Sequence, residues 1–255
     1  MLSNSIESLT INFEFAPDED TLELSDEFYK YYDCGATSLD AYRHHCNPFW
    51  MADCVSPVKR FDFRIIFTDR VHSQVGAFAR FDELEYVNIE STSGITNMNS
   101  MFRNSKKFNQ SVGDWDTSKV TDMGRMFESA ESFNQPIGDW DTSNVTDMSR
   151  MFRDAEDFNQ PIGEWDTSGV TDMEEMFSGA RAFNQELDGW DVGGVRSMRH
   201  TFYGAESFNG SVGGWDTSNV TDMDGTFCGA RVFDQPVGSW DVSSVRYMTA
   251  MFSEA

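Results

Sequence analysis

Lysine is nearly missing from this chain: Lys30, Lys59, Lys106, Lys107 and Lys119 are all there is in 255 residues. With 43 acidic residues against 19 lysines and arginines, the formal net charge is −24. That balance excludes sequence-independent binding to nucleic acid and attraction to anionic lipid, both of which need a cationic face. An Asp-rich, Lys-poor surface also suits a saline or calcium-rich setting. Cysteine is sparse as well. Cys34, Cys46 and Cys54 lie near the N-terminus and Cys228 stands apart, which is no disulfide framework, so reduced thiols are expected. No apolar run approaches the ~20 residues of a membrane span. The opening Met-Leu-Ser-Asn-Ser-Ile-Glu-Ser-Leu has no basic segment followed by an apolar one, so no secretory signal is read there.

What is present is a repeat. Trp115, Trp140, Trp165, Trp190, Trp215 and Trp240 recur every 25 residues, as do Phe102, Phe127, Phe152, Phe177, Phe202, Phe227 and Phe252. Val120 and Met123 begin two further columns, and Phe108 and Phe133 begin another. A fixed period of this length marks a solenoid or array. Each unit offers about eight large apolar side chains, at roughly 1.5–3 kcal/mol each when buried. Ordering 25 backbones costs roughly 25–50 kcal/mol. One unit cannot fold alone, so neighbours must stack and the apolar columns must be core.

Two halves of the unit read differently. In Val145-x-x-Met148-x-x-Met151-Phe152-x-x-Ala155-x-x-Phe158 the apolar spacing of three to four predicts a short helix. Thr146 is placed to cap it, with Asp147 at its positive end, and Thr171-Asp-Met-Glu174 matches a capping box. Asn134-Gln-Pro-Ile-Gly-Asp-Trp140 reads as a short parallel strand, in which Pro136, Pro161 and Pro236 each remove a ladder donor in their copies. The expected fold class is therefore an α/β repeat solenoid, with one short parallel strand and one short helix per coil.

The solenoid is expected over residues 84–255, with a degenerate first coil, about six regular repeats and no C-terminal cap. An α+β N-terminal cap region is expected over 1–83. Within it, residues 5–15 and Arg60–Phe67 read as strands, 22–32 as a helix and 69–78 as a short helix or turn. Cys34, His44, His45, Cys46 and Cys54 match no tight zinc spacing, and a Cys–His nucleophilic pair is supported by composition alone.

Four columns are candidates for chemistry or binding. Asp116, Asp141, Asp166, Asp191, Asp216 and Asp241 would lie about 5 Å apart on neighbouring coils, where like charges repel by roughly 1 kcal/mol in water and more at lower dielectric. Either each carboxylate closes an Asx-turn on the following backbone, or the row binds Ca²⁺. Asn109, Asn134, Asn159, Asn184 and Asn209, with Asp234 in register, read as a backbone-satisfying ladder. The helix slots that vary between copies include Arg125, Arg150, Glu175 and His200, and a strand-side slot holds Asp114, Asp139 and Glu164. Either variable surface is a candidate partner-binding face. The chain stops at Met251-Phe252-Ser-Glu-Ala255, and Met251 and Phe252 are the expected exposed residues of an uncapped end that associates with another surface.

The strings Val-Thr-Asp-Met-x-x-Met-Phe-x-x-Ala-x-x-Phe-Asn-Gln and Trp-Asp-Thr-Ser-Asn-Val-Thr-Asp-Met resemble those of the BspA-like leucine-rich-repeat surface proteins, over about residues 84–255. The resemblance implies a right-handed leucine-rich-repeat-like solenoid, a cell-surface or extracellular setting, and adhesion. No nucleophile–base pair, phosphate loop or metal cluster recurs, and no cofactor is expected. The reading is a non-enzymatic interaction or adhesion protein whose extended surface meets a protein or glycan partner. Two alternatives stand beside it: an assembly subunit docking through its uncapped last coil, and an enzyme using the N-terminal Cys/His region.

Overall fold

The computed structural model describes residues 60–66 and 76–255. The elements expected at 5–15 and 22–32, most of the stretch 69–78, and the Cys34–Cys54 group lie outside the described residues. β1 (Arg60–Ile66) pairs in parallel with β2 (Tyr86–Ser91), with Arg60 opposite Tyr86 and Ile65 opposite Ile89. These two strands fall where β-branched and aromatic residues alternate with polar ones.

Beyond β2 the chain runs in coils of 25 residues, each lying against the next. Isolated parallel bridges join Asn97 to Asp122, Asp122 to Asp147, Asp147 to Asp172 and onward to Tyr247. The pairing therefore runs through Thr-Asp-Met and not through the Asn134–Trp140 stretch, where the short strand was expected.

No helix forms over Val145–Phe158. The stretch is instead a run of turns whose amide groups alternate between two destinations. Met151, Arg153, Ala155 and Phe158 donate to carbonyls three residues back, at 3.1–3.2 Å. Arg150, Phe152 and Asp154 donate to Glu174, Met176 and Ser178 of the next coil, at 2.8, 2.9 and 2.7 Å. Arg150 and Asp154 hold φ of 56°, the left-handed value that the third position of a type II turn requires. Linked turns place every third or fourth side chain on the same side, as a helix would, so the apolar spacing is shared by both structures. The backbone bonds differ, because here they bind coil to coil.

The expected capping residues have other partners. Thr146 N–H and Oγ1 both donate to the Thr121 carbonyl, at 2.9 and 3.2 Å. Asp147 Oδ1 accepts from Ser149 N–H at 2.8 Å, opening the run of turns. Glu174 makes no capping box. Its own N–H donates to Asp172 Oδ1, and its carboxylate pairs with Arg150 and Arg199.

The core sits inside the coils. In one unit Val120, Met123, Met126, Phe127, Ala130, Phe133 and Ile137 are fully buried, with Trp140 nearly so, and the same columns are buried in the coils on either side. Phe127 and Phe133 stack at 3.8 Å within the coil, and Phe127 stacks on Phe152 of the next at 5.8 Å. The indoles of Trp140 and Trp165 lie 6.4 Å apart and nearly parallel. The indole N–H groups of Trp140, Trp165, Trp190, Trp215 and Trp240 reach carbonyls of the preceding coil, as Trp165 does to Ile137 at 3.1 Å. Gly138 lets the coils close up beside it: a Cβ there would stand 2.7 Å from the Pro161 carbonyl oxygen, closer than such atoms approach. Among the described residues no helix is long and apolar enough to cross a membrane.

Candidate interaction faces

Two surfaces run the length of the stack. One follows the tryptophans, and its side chains on either side of each indole are exposed and mostly acidic. Asp114, Asp139 and Glu164 lie there in one row, fully in solvent. Asp116, Asp141, Asp166, Asp191, Asp216 and Asp241 form the second row, and each closes a turn. Their Oδ1 atoms accept the N–H two residues on, from Ser118, Ser143, Ser168, Gly193, Ser218 and Ser243, at 2.9–3.1 Å. Ser118, Ser143 and Ser168 add their hydroxyls at 2.6 Å. The serine hydroxyl first, and then its N–H, hold Asp116, Asp166 and Asp216 below the ordinary aspartate pKa. For Asp241 the Ser243 N–H leads and the hydroxyl follows. The row is thus built as Asx-turns. Among the described residues no three His, Cys, Asp or Glu side chains are grouped to hold a metal ion.

The asparagine column joins the coils side chain to backbone, in the coils with Pro136, Pro161 and Pro236 and in those without proline alike. Asn109 Oδ1 accepts the N–H of Asn134 at 3.0 Å, Asn134 that of Asn159 at 3.0 Å, and Asn159 that of Asn184 at 2.9 Å. Asn184 and Asn209 continue to Asn209 and Asp234, both at 2.8 Å. Gln160 and Gln185 add a second donor to the same oxygens.

The other surface is the outer side of the turns, where residues change from coil to coil. Arg125, Arg150, Glu175 and His200 occupy one column, and all four have positive φ, at 56–57°. The variable slots are therefore also left-handed positions of the turns. The structure ties several of them together. Arg150 pairs with Glu174 at 2.9 Å and Glu175 at 3.2 Å, Arg153 with Glu175 at 2.7 Å, and Arg199 with Glu174 at 2.9 Å. Burial acts to raise the Glu175 pKa, but the hydrogen bond from Arg150 and the charges of Arg153, Arg150 and Arg199 outweigh it and hold the carboxylate below its usual range. Arg125 lies 3.7 Å from Glu128, which also faces Arg103 at 3.0 Å.

Sequence reasoning missed the column that follows each core phenylalanine: Arg103, Glu128, Arg153, Ser178, Tyr203, Cys228 and Ser253. Its variation was visible, since no other position beside a constant phenylalanine changes from arginine to tyrosine to cysteine. Tyr203 is 46% exposed, and the His200 ring lies 5.1 Å from it. At the far end Met251 is buried, whereas Phe252 is half exposed while stacking on Phe227 at 5.6 Å.

Comparison with known proteins agrees with the repeat. No curated protein and no solved structure matches the chain. Residues 73–190 and 182–255, which together span every complete coil, match the family described as Mycoplasma protein of unknown function, DUF285. At the level of the repeat this fits the resemblance to BspA-like proteins. The chain belongs to the DUF285 family of repeat proteins.

Proposed function

We propose that this chain is a non-enzymatic interaction protein, a right-handed solenoid related to the leucine-rich-repeat surface proteins, which meets its partner through the outer face of its turns. One observation carries the reading. The side chains that stay constant from coil to coil are engaged in folding: the Val, Met, Phe and Trp columns in the core, the Asp columns in Asx-turns, the Asn column in the ladder between coils. The turn face changes most in side-chain chemistry, from arginine and glutamate to tyrosine and cysteine, while the slot before each tryptophan changes from Asp114 to Gly189 and Ser239. A surface-displayed adhesin needs this division of labour. The acidic row along the tryptophans is more uniform, and half of it is committed to turn closure.

The test is binding of the labelled full-length chain to a printed array of host-matrix proteins and glycans. Saturable binding, competed by unlabelled chain, is expected. It should be lost in the variant Arg125→Ser/Arg153→Ser/Tyr203→Ser and kept in Asp114→Ser/Asp139→Ser/Glu164→Ser. Loss in the second variant with retention in the first would move the partner to the tryptophan edge. Binding nowhere on the array would count against an adhesive function.

A further inference from the structure

The turn face changes character along the stack. Around Glu128, Glu174 and Glu175 it is closed by arginine–carboxylate pairs. Beyond Arg199 the pair that follows is Arg231 with Glu206, at 3.4 Å. Tyr203 stands where arginine or glutamate stood in the earlier coils, and its ring is turned outward. The His200 ring lies beside it, tilted by 56°. The next residue in the column, Gly225, has no side chain, and a Cβ there would sit 2.5 Å from His200 Cδ2. The imidazole therefore lies flat over the following coil, in space that only glycine leaves.

The floor beside the tyrosine is also bare. Its flanking column holds Asn104, Ser129 and Asp154 in the earlier coils and then Gly179, Gly204 and Gly229. A Cβ on Gly229 would stand only 3.4 Å from Gly204 Cα, so these two glycines adjoin as bare backbone, while the Asp154 carboxylate lies over Gly179.

We propose that Tyr203 and His200, beside the bare backbone of Gly204 and Gly229, form a stacking platform for one ring of a neutral glycan. The proposal rests on the turn face being the binding face, and it names the class of partner. A pyranose has an apolar C–H face and a rim of hydroxyls. The face of the phenol takes the former. The imidazole beside it supplies a donor and an acceptor for the latter. A protein partner is favoured less, because protein hot spots are clusters of aromatic and aliphatic anchors in desolvated pockets, and here a single ring stands on a flat surface among polar neighbours. The net charge of −24 sets the sign of the glycan: sulfated or sialylated chains approach a repulsive field.

The experiment is saturation-transfer difference NMR on the full-length chain with the methyl glycosides of galactose, glucose, mannose and N-acetylglucosamine. Transfer to the C–H protons of one ring face is expected for at least one sugar. Tyr203→Ala should weaken that sugar roughly tenfold, the loss of one stacking contact with its desolvated surroundings. Tyr203→Phe should keep it, because the ring face remains. The exposed position of Tyr203 leaves the melting temperature of both variants unchanged. No transfer to any of the four sugars, or equal transfer in Tyr203→Ala, overturns the platform. If the array then still shows protein binding through the turn face, the glycan proposal alone has failed; if the array is empty as well, the binding-face reading fails with it.

Discussion

Single oxygens join one coil to the next. Asn159 Oδ1 takes the N–H of Asn184 and the amide of Gln185, so Asn159→Ala removes the only acceptor that the structure gives that backbone group. A destabilisation of about 1–3 kcal/mol is expected in chemical denaturation. Asn159→Asp, which keeps an acceptor oxygen at that place, should lose much less. At Ser129 the direction reverses. Its φ of 58° suits glycine, the residue that later coils place at 179, 204 and 229. Ser129→Gly should therefore stabilise the chain, by about 1 kcal/mol or less. The aspartates set a pH dependence. Asp116, Asp166, Asp216 and Asp241 have folded pKa values below their unfolded ones. Their contribution is complete above the ordinary aspartate pKa and is lost as pH falls through the lowered one. Thermal melts should therefore be flat from neutral pH down to about pH 5 as far as these groups are concerned, and fall steadily below pH 4. A melt that rose on acidification in that lower range would contradict the Asx-turns.

At the scale of the element, the periodicity of 25, the buried columns, the Asx-turns and the asparagine ladder were legible in the sequence, because each follows from residue chemistry at a fixed spacing. The conformation of the Val145–Phe158 stretch was not. Apolar residues three and four apart satisfy a helix and a chain of turns equally. What separates the two is where the intervening amides donate, and Phe152 donates to Met176 of another coil. The recurring glycines at 179, 204 and 229, in the middle of the supposed helix, were the available signal. The strand expected at Asn134–Trp140 does not form in the coils with proline or in those with Ser111, Glu186 or Ser211 in its place, and asparagine side chains make the connection in both. Gly138 belongs to this scale too. Gly138→Ala would push a Cβ into the Pro161 carbonyl, which is backbone and cannot swing aside. A loss of about 1–3 kcal/mol is expected, from strain rather than from a lost contact.

For the molecule as a whole, the coils are interchangeable in their core and individual on their turns. Deleting residues 131–155 joins Ala130 to Glu156 with every column still in register. The shortened chain should fold cooperatively and melt lower, since one interface between coils is removed. A shortened chain that failed to fold would mean that the coils are not equivalent. The functional proposals depend on the same architecture, because coils stacked at a period of 25 put Arg125, Arg150, Glu175 and His200 in one column beside that of Arg153 and Tyr203. The most direct test is the through-hydrogen-bond scalar coupling of the Phe152 amide in deuterated, labelled protein. It should correlate with the carbonyl of Met176, 24 residues ahead in the next coil, at the 2.9 Å contact seen here. A correlation to the carbonyl of Met148, the helical partner, would contradict the coil of turns and the outer face built on it.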